Sequence, residues 1–493
     1  MKYKLIGAVA LILAVSVVIG GAWIFSDGEK ERYVQHRMEA GYSPCDVCPD
    51  TSLCTHLPII KIDTGGVEIP GEAYLDPVSG KVLHGMAADG NKTIAATADV
   101  IDSKEGNNHP SDESTLSSNI RIRIRGNSSR FFDKLPYLIE LVNEDGTNND
   151  REMMGMAAHH EWALHGPFLD KTLIRNYMWY NLAGEIMDYS PNVRFCELIL
   201  NGEYKGLYLM TETVTAGDED ARIKLSTTEK RNTFSGYILR HDRGSETEIK
   251  NIAPFSIYTL QTDNLINIVS PGLSSLDTEL TRNIELEFSD FEKALYSYDF
   301  DDERGYKTTV DVDSFVDYFI INEVALNRDA GYYSTYVYKD VDRKYKLCVW
   351  DFNNALDNYE ETDNPTSGFS MFSTVWFDRI IQDEDFTERV IDRYKYLRTT
   401  VLSDEKLNAY IDETVAWLGD AVDRNFEVWG YSFEESADRL IPKERNLRSY
   451  DDALTQMRNC LNERVKWMDD NIESLKQYSA ASKTRGSHET HEH

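Results

Sequence analysis

Isoleucines alternate with arginines from Ile120 to Arg125, a period of two that predicts a half-buried β-strand. This strand runs into Gly126-Asn127-Ser128-Ser129-Arg130, a turn-prone segment, and a second strand is expected from Leu135 to Leu141. Upstream, Ile59-Ile60-Lys61-Ile62 before Thr64-Gly65-Gly66 also reads as a strand, whereas Asp102 to Ser118 shows no hydrophobic period and reads as loop. The apolar runs Arg194 to Leu200 and Tyr204 to Val214 flank Asn201-Gly202, a strong hairpin signal. Helical spacing predicts a helix from Asp170 to about Met187, with Asp170 as its cap and Leu173, Tyr177, Tyr180 and Ile186 on its apolar face. Further helices are expected near 276–298, from Asp313 through Phe315, Phe319, Ile320 and Val324, and almost continuously from about 370 to Ser479. Strands in the first half and helices in the second imply an α+β fold with two lobes and a groove between them.

The N-terminus adds a targeting expectation. An uncharged run from Leu5 to Phe25 follows Lys2 and Lys4 and precedes the charged stretch Asp27 to Arg32. That length spans a bilayer, and the lysines favour a cytoplasmic N-terminus with a single-pass anchor and an extracellular bulk. A cleaved signal peptide, with Gly20 and Ala22 as small residues at the cut, is the competing reading and gives a secreted product. The chain thus divides into 1–26 (anchor or signal peptide), 27–56 (a Cys-bearing linker), 57–478 (the domain) and 479–493 (a disordered tail with His488, His491 and His493).

Charge narrows the partners. With 52 basic and 84 acidic residues the net charge is −32, which argues against a general nucleic-acid-binding role. A phosphate-bearing substrate then needs a local basic patch or a divalent cation. Cys45, Cys48 and Cys54 with His56 look superficially like metal ligands, but no second knuckle follows, so disulfides in an extracellular stalk are the favoured reading. Cys196, Cys348 and Cys460 read as small buried residues.

The sharpest chemistry lies between 327 and 354. Asn327-Arg328-Asp329 precedes a strand from Ser334 to Lys339, a charged turn, and a return strand from Tyr345 to Val349 that ends in Trp350-Asp351-Phe352-Asn353. In a hairpin the start of the first strand lies beside the end of the second, so Asp329 and Asp351 are expected to meet at one end. Two such carboxylates can hold a divalent cation, or divide into one metal ligand and one proton acceptor. Equally, both can simply terminate strands. Gly126 to Ser129 can bring backbone amides to a phosphate, or the arginine strand can be a solvated face.

Taken together, Arg125 to Arg130 with Lys134-Leu135-Pro136-Tyr137, Asp170 to Asn176, Gly202 to Leu209, Asn327-Arg328-Asp329 and Trp350 to Asn353 resemble, in order, the motifs of the CotH (spore coat protein H) kinase-like family. The resemblance implies an atypical protein-kinase-like fold with ATP and Mg²⁺ or Mn²⁺ (Ca²⁺ as an alternative) between two lobes. Gly126, Asn127, Ser128 and Ser129 would then cover the phosphates, with Arg125, Glu212 and Trp350 near the nucleotide and Lys134 as the nucleotide lysine. Asp329 would accept the substrate hydroxyl proton, and Asp351 with Asn353 would bind the metal. The chain carries Asn353 where many members have Asp, and only Ser334 where many have a metal-binding Asn. The implied activity is phosphate transfer to Ser or Thr hydroxyls of a surface or envelope protein, against a non-catalytic scaffold as the alternative. A metal-dependent hydrolase or glycosidase also fits the bare carboxylates, but has no use for the Gly-Asn-Ser-Ser turn. Protease added to intact cells is expected to remove the domain; complete protection, or a soluble product starting near Trp23, would overturn the anchor.

Overall fold

A computed structural model describes residues 32–479 apart from 46–47, 49–52, 78–81, 104–105, 217–221, 227–233, 244–249, 256–263, 298–299 and 301–302. The expected anchor and the histidine tail lie outside the described residues, among which no helix is long and apolar enough to cross a membrane. Sixteen strands are described: β1 (Ile59–Asp63), β2 (Ala73–Leu75), β3 (Val82–His84), β4 (Ile94–Ile101), β5 (Leu116–Ile124), β6 (Tyr137–Val142), β7 (Arg151–Met153), β8 (Met156–His159), β9 (Glu161–His165), β10 (Val193–Leu200), β11 (Glu203–Glu212), β12 (Tyr237–Arg243), β13 (Lys250–Ile252), β14 (Asn264–Ser270), β15 (Thr335–Lys339) and β16 (Lys346–Cys348). The helices are α1 (Gln35–Met38), α2 (Arg175–Ile186), α3 (Thr278–Tyr296), α4 (Val312–Val324), α5 (Phe377–Ile380), α6 (Glu384–Leu397), α7 (Asp404–Leu418), α8 (Asp420–Trp429), α9 (Tyr450–Asn471) and α10 (Lys476–Ser479). The α+β segregation holds, with strands dominating the first half and helices the second.

Strands β1, β10, β11, β9, β6, β5 and β4 close into a barrel in that order, with β1 and β10 parallel and the other pairs antiparallel. The alternation read along β5 is real: Ile120, Ile122 and Ile124 point into the barrel, while Arg121 and Arg123 stay half-buried outside. Strands β9 to β11 are buried on both faces. Trp162, Leu164, Cys196, Leu198, Tyr208 and Met210 fill the barrel, whereas Ala163, Phe195, Leu207 and Leu209 join a second, larger core shared with the helices. Burial on two sides explains why their sequence runs apolar without alternating. A second sheet, ordered β13-β14-β12-β15-β16, packs with the helices in that larger core.

Three expectations are corrected. The helix expected from Asp170 begins at Arg175, because Leu173 takes φ 67° and breaks the helical path. Asp170 still caps from a distance, its Oδ2 accepting the Arg175 amide at 2.9 Å. The segment read as linker is docked from Arg32: its guanidinium reaches Asn181 Oδ1 (3.1 Å) and Ser190 O (2.9 Å), and the fully buried Gln35 binds the Phe195 backbone through both ends of its amide. Finally, no disulfide joins any two cysteines among the described residues, so the expected stalk disulfides are not formed there.

Helix α2 sits centrally, buried around most of its circumference, which marks a core helix rather than a surface one. Helix α4 is moored by a fully buried ion pair: Arg464 of α9 meets Glu323 Oε2 at 2.6 Å and donates Nε to Glu323 O at 2.8 Å. The second Glu323 oxygen accepts the amides of Ser370 and Met371, so every group of the pair is satisfied. Arg464→Met should strand a buried carboxylate and cost about 3–5 kcal/mol, read as a fall in the denaturant midpoint; a stability within about 1 kcal/mol of wild type would contradict this role.

Candidate active site

The Asn327-Arg328-Asp329 segment leaves α4 through Leu326 at φ 49°. Asn327 Nδ2 bonds Asn322 Oδ1 (3.0 Å) and crosses to Asp351 O (3.2 Å), tying this loop to the one that follows β16. Asp329 O accepts the amides of Tyr332 (3.0 Å) and Tyr333 (2.7 Å), turning the chain back toward β15. Gly331 completes that turn at φ 80°, and a Cβ there would meet Thr374 at 2.4 Å, so only glycine fits. The Asp329 carboxylate, half-buried, accepts from Asn354 Nδ2 at 2.8 Å. The hairpin therefore brings the two aspartate loops together, as its pairing of Tyr336 with Cys348 requires.

On the other side, Asp351 occupies φ 63°, a left-handed conformation that a non-glycine residue holds only when its surroundings insist. Helix α2 supplies the insistence. The Asp351 amide donates to Tyr180 Oη (3.0 Å), and the Phe352 amide donates to Asn176 Oδ1 (2.7 Å). Asn176 Nδ2 donates to Asn353 Oδ1 (2.7 Å). Arg175 reaches Ala355 O with Nε (2.9 Å) and Leu356 O with Nη2 (3.4 Å), and is neutralised by Asp170, 2.5 Å away. The Asp170 to Asn176 motif is thus a clamp on residues 351–356.

Beside the clamp lies an aromatic floor with cations over it. Trp350 packs against His165, Tyr180 and Tyr336. The Arg125 guanidinium stands over the Trp350 ring at 5.3 Å and donates Nη1 to His165 Nδ1 at 3.3 Å. Burial and then the Arg125 charge hold His165 far below its ordinary pKa, so the ring is neutral and accepts that bond. Tyr180 is pushed well above its ordinary range by burial and then by the Asp351 charge, and feels Arg125 as well. Arg240, 3.5 Å from Asp242, bears on the Tyr336 phenol.

The expected residues do not all converge. Arg125 and Trp350 stack, which sets Gly126 to Ser129 next to the Asp351 loop; Gly126 takes φ 98°, a conformation that side-chain-bearing residues rarely adopt. Asn127 and Ser128 are exposed, and Arg130 braces the turn from behind through Gly126 O (2.5 Å) and Gly71 O (2.8 Å). Lys134 is elsewhere. Fully buried, it donates Nζ to Leu207 O and Asn425 Oδ1, both at 2.6 Å. Glu212 is likewise fully buried, its Oε2 bonded to Asn192 N (2.9 Å), Asn192 Nδ2 (3.1 Å) and Tyr189 Oη (3.4 Å). Asn353 Oδ1 is taken up by Asn176, and the side chain that reaches Asp329 is the next one, Asn354. His165, Arg240 and Asn354 are not singled out by the sequence, which places Tyr180 only on a helix's apolar face and Asn176 only at the end of the Asp170 to Asn176 motif.

Chemically, the arrangement offers two carboxylates and amide oxygens for a hard cation, with arginines fit for phosphate oxygens. Among the described residues Asp329 and Asp351 belong to no cluster of three or more His, Cys, Asp or Glu ligand atoms. A model of the family described as CotH kinase protein matches residues 122–468, more than two thirds of the chain. No curated protein matches. Asn176→Ala should leave the Phe352 amide without its acceptor, costing about 1–3 kcal/mol in denaturant unfolding and raising amide exchange at Phe352. Unchanged exchange there would show that the clamp does not hold Asp351.

Proposed function

Because the chain belongs to the CotH kinase protein family, an atypical protein kinase family, we propose that it is an exported ATP-dependent phosphotransferase acting on Ser or Thr hydroxyls of a surface or envelope protein. The observation carrying this reading is the joining of the Asp329 and Asp351 loops by Asn327 and Asn354, beside Arg125 over Trp350. The hydroxyl oxygen attacks the γ-phosphorus, the bond to the bridging oxygen breaks, and ADP departs. Asp329 accepts the hydroxyl proton, which a carboxylate does well only if oriented, as Asn354 orients it here. Asp351 is the charged ligand for Mg²⁺ or Mn²⁺, which when bound neutralises charge on the phosphates. The Gly126 to Ser129 turn covers the phosphates and Arg125 supplies a fixed cation. The two-lobed kinase-like architecture is part of the same proposal, as is a membrane tether through the N-terminal run.

A surface scaffold that keeps the fold without turnover is the second reading. It is favoured by the burial of Lys134 and by the engagement of Asn353 with Asn176. One series separates the two. With labelled ATP, wild type should label protein, Asp351→Asn should lose transfer by on the order of 10²–10³-fold, and Asp329→Asn should slow transfer while nucleotide affinity stays near wild type. If both variants match wild type, the assigned site is wrong; if wild type binds ATP but never transfers it across metals and candidate proteins, the scaffold reading takes over.

A further inference from the structure

We propose that Cys45, Cys48, Cys54 and His109 form a structural zinc site that fastens the N-terminal segment to the domain. One ligand atom from each of the four lies within 4.8 Å of the others, and all four residues are half-buried. The Cys45 Sγ to His109 Nε2 distance is 3.6 Å. Zinc–sulfur and zinc–nitrogen bonds of about 2.3 and 2.0–2.1 Å at the tetrahedral angle give an S···N edge of about 3.6 Å. No disulfide joins these cysteines among the described residues.

The surroundings are those of a ligated site. His109 turns Nε2 to the thiols while its Nδ1 lies 3.1 Å from Asp112 Oδ2, which also accepts the His109 amide at 2.8 Å. A carboxylate on the second ring nitrogen fixes the tautomer and orientation that a metal-bound imidazole needs. Asn107 Nδ2 donates to Cys54 Sγ at 3.3 Å and to Ser43 O at 2.6 Å, an N–H···S contact suited to a thiolate. Thr55 and Asn108 exchange backbone hydrogen bonds next to the cluster, at 3.2 and 2.6 Å. Ser43, Cys45, Cys54 and Thr55 thus already meet residues 107–112 where the ligands converge.

The ligand set points to one metal. Three thiolates with one imidazole in a closed tetrahedron select zinc over the oxygen-seeking Mg²⁺ and Ca²⁺, and leave no open position for catalysis. Binding releases three thiol protons and leaves a formal charge of −1 on the centre. The sequence suggested His56 as the fourth ligand; instead its ring packs edge-on against Trp417 at 4.7 Å, and the histidine that converges is 64 residues from Cys45. This site is independent of the proposed phosphotransfer, and its test reads metal and thiols, not activity.

Full-length protein purified without reductant or chelator should contain about one zinc per chain. Its Cys45, Cys48 and Cys54 should become reactive to a thiol reagent only after a strong chelator is added. Cys48→Ser and His109→Ala should each lower zinc at least tenfold, whereas His109→Cys should retain it. Cobalt exchanged into wild type should show thiolate-to-metal charge-transfer absorption, which the histidine tail cannot supply. The proposal is overturned if wild type carries no zinc, if peptide mapping finds these cysteines in disulfides, or if the Cys48→Ser variant keeps its zinc.

Discussion

The arrangement of the candidate site rests on the contact between Asp170, Arg175 and Asn176 at the head of α2 and the backbone of residues 351–356. That backbone is costly to hold. Asp351, Leu356 and Asp357 take φ values of 63°, 51° and 62°, and each such residue costs of order 1–3 kcal/mol. The Leu356 amide pairs with Ala325 O, but so irregular a segment has no strand alongside it, and other amides and carbonyls find partners in side chains. Tyr180, Asn176 and Arg175 are those partners, set out along the first turns of one rigid helix. Asp170 is what allows Arg175 to be there: a guanidinium at 1% exposure needs a counter-charge, and Asp170 gives one while also capping the helix.

The Asp329 side has a separate mooring with the same logic. Arg464 holds Glu323, Glu323 receives the amides of Ser370 and Met371, and Asn327 extends from the end of the same helix to Asp351 O. Both aspartates are therefore positioned from the helical core. The barrel's contribution is Arg125, at the end of β5, which leans across to Trp350. Three elements distant in sequence meet at one tryptophan ring.

Much of this was legible. Asn201 and Gly202, at φ 52° and 81°, form the tight turn their identity demands, and the alternation of β5 follows from one wall facing a dry interior. The meeting of the Asp329 and Asp351 loops follows from hairpin register alone. Other features were hidden for physical reasons. Strand β4 reads Ile-Ala-Ala-Thr-Ala-Asp-Val-Ile, and its small residues give too weak a hydrophobic signal to mark a strand. The resemblance gives Lys134 the nucleotide role, but its burial against Leu207 O and Asn425 Oδ1 could not be read, because Asn425 lies 291 residues away. His109 escaped notice because local spacing cannot show which loop folds back onto the cysteines. In each case the missing information was a contact between distant segments, which periodicity does not encode.

Charge gives the last constraint on the proposed chemistry. A nucleotide approaching a chain of net charge −32 meets a repulsive field, so the site must carry cations that stay charged when water is excluded. Burial disfavours the charged form of an amine, and Lys134 is held well below its ordinary pKa by desolvation, so an ammonium that deep would be a poor counter-charge. A guanidinium does not surrender its proton under the same conditions. Arg125 is also oriented in advance, by the Trp350 face and by a neutral His165 that accepts its N–H. Pre-orientation matters because a flexible cation would lose side-chain entropy on meeting each phosphate. In the proposed reading the task usually given to a lysine falls to Arg125, and Asp351 with its divalent cation neutralises the rest.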